Sequence, residues 1–121
     1  MSKANSKKIM ALVAIVALVA VLGVCLVACN AATERKHLED KGYRVVTLTD
    51  NASGAGKVIY NIAKSISDFK EGVWATKGTE YVAVIWYDSL DGAKEAEASF
   101  KSKHAAPVIF RYETRVYAGS Q

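Results

Sequence analysis

One uninterrupted apolar run near the amino terminus constrains this chain more than any other feature. Residues 9–28 carry no charged and no strongly polar side chain, and three lysines, Lys3, Lys7 and Lys8, precede them. A run of about 20 apolar residues is long enough to cross the hydrocarbon layer of a bilayer. The surface of a small soluble domain cannot accommodate such a segment. It therefore enters a membrane, at least transiently, and the lysines belong to targeting.

The end of this run resembles the lipobox of bacterial prolipoproteins. In Leu26-Val27-Ala28-Cys29, a large aliphatic residue stands three positions before a cysteine and a small residue stands directly before it. The basic start, apolar centre and small final residues also match the three parts of an export signal. The resemblance covers residues 1–29. It implies that Cys29 receives a diacylglyceryl group on its sulfur and that the chain is cut between Ala28 and Cys29.

A second interpretation keeps the run in place as a transmembrane helix. The segment is longer than the usual apolar centre of an export signal, about 7–15 residues, and in that case both cysteines are ordinary apolar residues of the helix. Cys25 fits a lipobox badly because the bulky Val24 precedes it. Either interpretation attaches the protein to the cell membrane, by lipid or by helix, and places residues 29–121 on the extracytoplasmic side.

The remaining chain is close to electrically neutral. Residues 29–121 contain 13 basic and 12 acidic side chains, a net charge of +1, with no basic cluster. This balance argues against a nucleic-acid partner. No cysteine follows Cys29, and neither His37 nor His104 has a histidine three or four residues away. The sequence therefore predicts no disulfide, no metal and no cofactor.

The pattern of residues divides the chain into three segments. Residues 1–28 are the signal peptide or membrane anchor, and residues 29–42 read as a polar tether with a short helix in part of it, capped by Thr33. Residues 43–121 predict one small α+β domain. Its expected elements are a strand over 43–49, a helix ending near residue 69, a hairpin of strands over 73–77 and 80–87, a helix capped by Asp88 or Ser89, and one strand over 108–117.

This β-α-β-β-α-β order resembles the ferredoxin-like fold. The resemblance, one of pattern over residues 43–117, implies an antiparallel sheet of strand order 4-1-3-2 with both helices on one face. It carries no functional implication, because that fold hosts many unrelated functions.

A sheet with helices on one face leaves the other face open. The alternation of residues 108–117 predicts that tyrosine, isoleucine and arginine side chains share this face, which is a composition typical of interfaces. We therefore expect a possible homodimer interface formed by Tyr43, Trp74, Tyr81, Ile85, Tyr87, Ile109, Arg111, Arg115 and Tyr117. A shift of one residue in register would exchange the two faces.

No arrangement of residues predicts catalysis. Asp88, Asp91 and Glu95 lie near one helix start, where carboxylates complement the helix dipole. The sequence favours a non-enzymatic, membrane-anchored lipoprotein whose domain binds a partner or ligand of unknown identity. Two alternatives remain open: an uncleaved single-pass protein with a structural or regulatory domain, and a small enzyme of unknown reaction.

Overall fold

The computed structural model describes residues 30–49, 52 and 54–120 as three helices and a five-stranded sheet. The apolar run, Cys29 and most of the turn before the second helix lie outside the described residues. The helices are α1 (Ala31–Asp40), α2 (Ala55–Lys64) and α3 (Leu90–Ser102). The strands are β1 (Arg44–Thr47), β2 (Phe69–Lys77), β3 (Glu80–Tyr87), β4 (Val108–Tyr112) and β5 (Arg115–Gly119).

The sheet is antiparallel throughout, with strand order β1-β2-β3-β5-β4. The predicted α+β class and antiparallel sheet are confirmed, and so is the hairpin of β2 and β3. The predicted strand order 4-1-3-2 is wrong. The chain forms a second hairpin at Glu113 and Thr114, and its return strand β5 occupies the position beside β3. The first strand therefore pairs with β2 at the edge of the sheet.

Helices α2 and α3 cover one face of the sheet, as predicted. Ile59, Ile62 and Ala63 are buried along one face of α2. Ala93, Ala96 and Phe100 are likewise buried along one face of α3. Ser89 caps α3 by accepting a hydrogen bond from the Gly92 N–H at 3.0 Å. The predicted extension of α2 toward residue 69 is wrong, because the helix ends at Lys64 and Phe69 begins β2.

Helix α1 covers the opposite face, where a polar tether was expected. Asn30, rather than Thr33, caps the helix, and its Oδ1 accepts a hydrogen bond from the Thr33 N–H at 2.9 Å. Leu38 is completely buried. Arg35 donates to the Val45 carbonyl at 2.9 Å and to Thr47 Oγ1 at 3.2 Å, which ties the edge strand β1 to the helix.

The sheet therefore lies between two hydrophobic layers. The layer beneath α2 and α3 contains Leu48, Ile85, Tyr87, Val116 and Ala118 of the sheet and its flanking turns. The layer beneath α1 contains Tyr43, Val73, Val82, Val84, Trp86, Phe110 and Tyr117. All side chains from Val82 to Tyr87 are buried, which confirms β3 as the central strand covered on both faces.

Candidate functional site

A cleft of about 630 Å³ opens on strands β1 and β2, on the sheet face that also carries α2 and α3. We call it the β1–β2 cleft. Its lining residues are Arg44, Val46, Thr47, Thr49, Ala52, Trp74 and Thr76. Its volume lies within the range of about 300–1,000 Å³ that small-molecule sites occupy.

The strand register determines which side chains share the cleft. Arg44 lies opposite Thr76, and Val46 lies opposite Trp74. Facing residues of an antiparallel pair project to the same side, and so do residues two positions apart on one strand. These four side chains therefore form a rectangular group with one cation, one hydroxyl, one aliphatic group and one indole.

Trp74 is half-buried and held from two sides. Its ring lies 5.2 Å from the ring of Tyr81, centroid to centroid, at an angle of 34°. The first turn of α2 packs against it through Gly56, where an added β-carbon would lie only 2.9 Å from Trp74 Cε2. Glycine at position 56 therefore lets the helix approach the indole closely.

The other groups in the cleft remain accessible. Val46 is 43% exposed, one of the few large hydrophobic side chains in the described chain that is not buried. Arg44 is exposed, and its guanidinium forms no ion pair or hydrogen bond with another described residue. Arg44 is also the one formally charged side chain among the described lining residues.

A second polar group lies beneath α1 and is closed to solvent. Glu34 is completely buried and Arg115 is 3% exposed. Tyr117 stacks on Phe110 at 4.6 Å, and the Arg115 guanidinium lies 5.3 Å from the Tyr112 ring. Burial raises the pKa of Tyr117, and the negative charge of Glu34 raises it further, whereas Arg115 acts in the opposite direction. This group belongs to the core, because Glu34, Arg115 and Tyr117 are all buried.

The nine residues predicted to share an open face are divided between the two faces. Trp74, Tyr81, Ile85, Tyr87, Ile109 and Arg111 lie on the face of α2 and α3, and Tyr43, Arg115 and Tyr117 lie on the face of α1. Five of the nine are buried: Tyr43, Ile85, Tyr87, Arg115 and Tyr117. The expected face is therefore absent, because α1 covers one side of the sheet. The homodimer remains a prediction, and the open sheet face that was expected to form it is covered by α1.

Several of these residues already have partners within the domain. Tyr87 donates its hydroxyl to the Ala63 carbonyl at 3.0 Å, and Tyr43 donates to Glu80 at 3.1 Å. Arg111 lies 3.6 Å from Glu97 and donates to the Glu113 carbonyl at 2.7 Å. Their roles are contacts between elements, and only Trp74 and Tyr81 of the nine lie together beside the cleft.

The sequence interpretation missed Arg44, Val46 and Thr76. The first strand reads Arg-Val-Val-Thr, which has no alternation between apolar and polar residues, so its register is ambiguous. The signal that could have found the cleft is the pair of polar residues Arg44 and Thr76, each two positions from an apolar residue that faces the same side.

Among residues 30–49, 52 and 54–120, no cluster of three or more His, Cys, Asp or Glu side chains is arranged to hold a metal ion. No helix there combines the length and apolar character needed to cross a bilayer. Comparison with protein families, with curated proteins and with solved structures finds no match to this chain.

Proposed function

We propose that this protein is a bacterial lipoprotein, anchored to the membrane through Cys29, whose extracytoplasmic domain is a non-catalytic binding module. The observation that carries the anchor is the sequence Leu26-Val27-Ala28-Cys29 at the end of a charge-free apolar run. Two acyl chains hold a protein firmly at a membrane, because each buried CH₂ contributes about 0.8 kcal/mol and a single chain binds only marginally.

The start of α1 gives this anchor a structural consequence. Asn30 caps the helix, so the acylated Cys29 would lie one residue before a folded element. No flexible tether then separates the lipid from the domain. Since Leu38 and Arg35 pack α1 against the sheet, the proposed anchor would hold the whole domain close to the headgroups.

The composition of the β1–β2 cleft supports binding rather than catalysis. Its described lining residues include a cation, three threonines, an indole and an aliphatic side chain, and none of these described residues is a carboxylate, histidine or cysteine. General acid–base and nucleophilic mechanisms usually depend on such groups. The described part of the lining thus offers charge, hydrogen bonds and apolar contact.

Two cysteine variants test the anchor. We expect Cys29→Ser to abolish incorporation of labelled fatty acid, because the sulfur that forms the thioether is gone. Cys25→Ser is the matched control, since Val24 makes Cys25 a poor acceptor, and it should be labelled as strongly as the unaltered protein. The measurement is radiolabelled fatty acid on the immunoprecipitated chain. Equal labelling of the Cys29→Ser variant, or an unlabelled wild-type chain that stays in the membrane, would refute lipidation at Cys29.

A further inference from the structure

We infer that Arg35 closes the outer edge of strand β1 and keeps it from pairing with β1 of a second copy of the chain. The inference concerns the edge of the sheet rather than the cleft, so it goes beyond the binding role proposed above and does not depend on how the chain is anchored. It rests on the position of β1 in the sheet, the direction of its peptide groups and two hydrogen bonds that Arg35 donates.

Strand β1 lies at one end of the sheet. In the order β1-β2-β3-β5-β4, its neighbour among the described strands is β2 alone. An edge strand presents N–H and C=O groups that can pair with a further strand, and proteins prevent such pairing with charged side chains, proline, bulges or covering segments. The outer side of β1 is therefore a place where a second chain would extend the sheet.

The hydrogen bonds to β2 determine which peptide groups of β1 point outward. Leu48, directly after β1, donates its N–H to the Gly72 carbonyl of β2 at 2.9 Å. Peptide groups along an antiparallel strand point alternately to its two sides, so every second residue counted back from Leu48 also faces β2. The N–H and C=O groups of Val45 and Thr47 therefore point away from the sheet.

Arg35 occupies this outward side. Its guanidinium donates one hydrogen bond to the Val45 carbonyl at 2.9 Å and another to Thr47 Oγ1 at 3.2 Å. The Val45 carbonyl is an acceptor that an added strand would need, and the guanidinium puts a charged, planar group beside it. Arg35 extends from α1, whose Leu38 is completely buried. An incoming strand would therefore have to displace an arginine that a packed helix holds in place.

The sequence of β1 suits pairing with a second copy once the guanidinium is absent. When two β1 strands pair antiparallel about Val46, Val45 of one copy lies opposite Thr47 of the other, and these residues form four N–H···O=C hydrogen bonds. Val46, which is 43% exposed, then meets its own counterpart, and Arg44 lies opposite Leu48. No two like charges face each other in this register, so only the contacts of α1 oppose it.

The association state of an Arg35→Met variant tests the inference. The full chain is kept in detergent at matched solvent density, so that sedimentation equilibrium gives the mass of the protein part. We expect Arg35→Met to show twice the protein mass of the unaltered chain at about 100 μM, because an edge-to-edge interface is small and binds weakly. Lys36→Met is the matched control, since Lys36 is exposed on the same helix and loses the same charge. It should keep the mass of the unaltered chain.

Two further variants separate strand pairing from unfolding. Arg35→Ala removes the guanidinium without adding an apolar group and should double the mass as well. Adding Thr47→Pro to Arg35→Met removes an outward N–H, and with it two of the four hydrogen bonds between copies, but leaves the bonds to β2 in place. We expect this double variant to return to the mass of the unaltered chain, whereas aggregation of unfolded chains would persist. Circular dichroism follows the fold of each variant.

Three results would overturn the inference. The first is an equal mass for Arg35→Met, Arg35→Ala and the unaltered chain, and the second is the same increase with Lys36→Met. The third is an increase that Thr47→Pro does not reverse. None of these results bears on whether Cys29 carries a lipid, so this inference and the proposed anchor fail separately.

Discussion

Three tyrosines of the domain are surrounded by groups that favour the protonated phenol. Burial, the hydrogen bond to Glu80 and the charge of that carboxylate raise the pKa of Tyr43 to about 12. Burial, with the charge of Glu95, raises the pKa of Tyr87, and burial also raises that of Tyr117. In the unfolded chain a tyrosine ionises at about pH 10.

We expect these tyrosines to make the folded domain less stable as the pH rises from 10 to 12. Below pH 10 the phenols are protonated in both states, and their contribution to stability is fully present. Between the two pKa values the unfolded chain loses protons that the folded chain retains, so the free energy of unfolding falls. Absorbance of tyrosinate, followed together with circular dichroism, measures both events.

One outcome of this titration would contradict the expected late ionisation of the three tyrosines. Ionisation of all six tyrosines in one step near pH 10, with the circular dichroism unchanged, would show that Tyr43, Tyr87 and Tyr117 are not held as the structure describes. Tyr87→Phe should remove one of the late-ionising groups, which assigns the signal.

At the scale of elements, α1 changes the character of the domain. It converts a sheet with one open face into a layer covered on both sides, and it buries Leu38 completely. The seven residues from Glu34, whose charge acts on Tyr117 in β5, to the C-cap Lys41 span about 10 Å along the helix axis. The Lys41 carbonyl accepts a hydrogen bond from Lys77 at the end of β2.

We expect Leu38→Ala to lower the free energy of unfolding by about 2–5 kcal/mol, because it removes buried methyl groups and leaves a cavity. Lys36→Ala, on the exposed side of the same helix, should change it by no more than about 0.5 kcal/mol. Denaturant unfolding of the full chain in detergent, followed by Trp86 fluorescence, measures both. Equal effects of the two substitutions would mean that residues 31–40 do not pack on the sheet.

The sequence predicted the elements with strong local signals. Ser89 capping and the hairpin at residues 78–79 are confirmed. The second hairpin was missed because Glu113 and Thr114 are not usual turn residues. Glu113 takes a left-handed backbone conformation, with φ of 53°, that favours glycine or asparagine. The alternation of side chains over residues 108–117 continues through this turn, so the sequence was interpreted as one strand.

The candidate site was less predictable than the elements, for two physical reasons. Strand order depends on pairing between distant segments, which local periodicity does not encode. The position of α1 depends on Leu38 and Arg35, two residues in an otherwise polar segment that reads as solvated. The predicted interface residues were selected for a sheet face that was expected to be open. Because the predicted strand order and the predicted position of residues 31–40 were both wrong, the selection included buried core side chains such as Ile85 and Tyr117.

At the scale of the whole molecule, helix α1 and the β1–β2 cleft lie on different faces of the sheet. Helix α1, which follows Cys29 directly, packs on one face, and Arg44, Val46 and Trp74 lie on the other. A domain held close to the membrane through α1 would thus keep its cleft clear of the helix that carries the lipid. This arrangement suits a module that binds a soluble ligand at the membrane surface.

The intact mass of the protein extracted from membranes tests the central proposal most directly. We expect a chain that begins at Cys29, lacks residues 1–28 and carries additional acyl mass, since cleavage and lipidation both follow from the lipobox resemblance. A full-length chain without added mass would contradict the proposal. It would mean that residues 9–28 remain as a transmembrane helix and that the sequence Leu26 to Cys29 is a coincidental match.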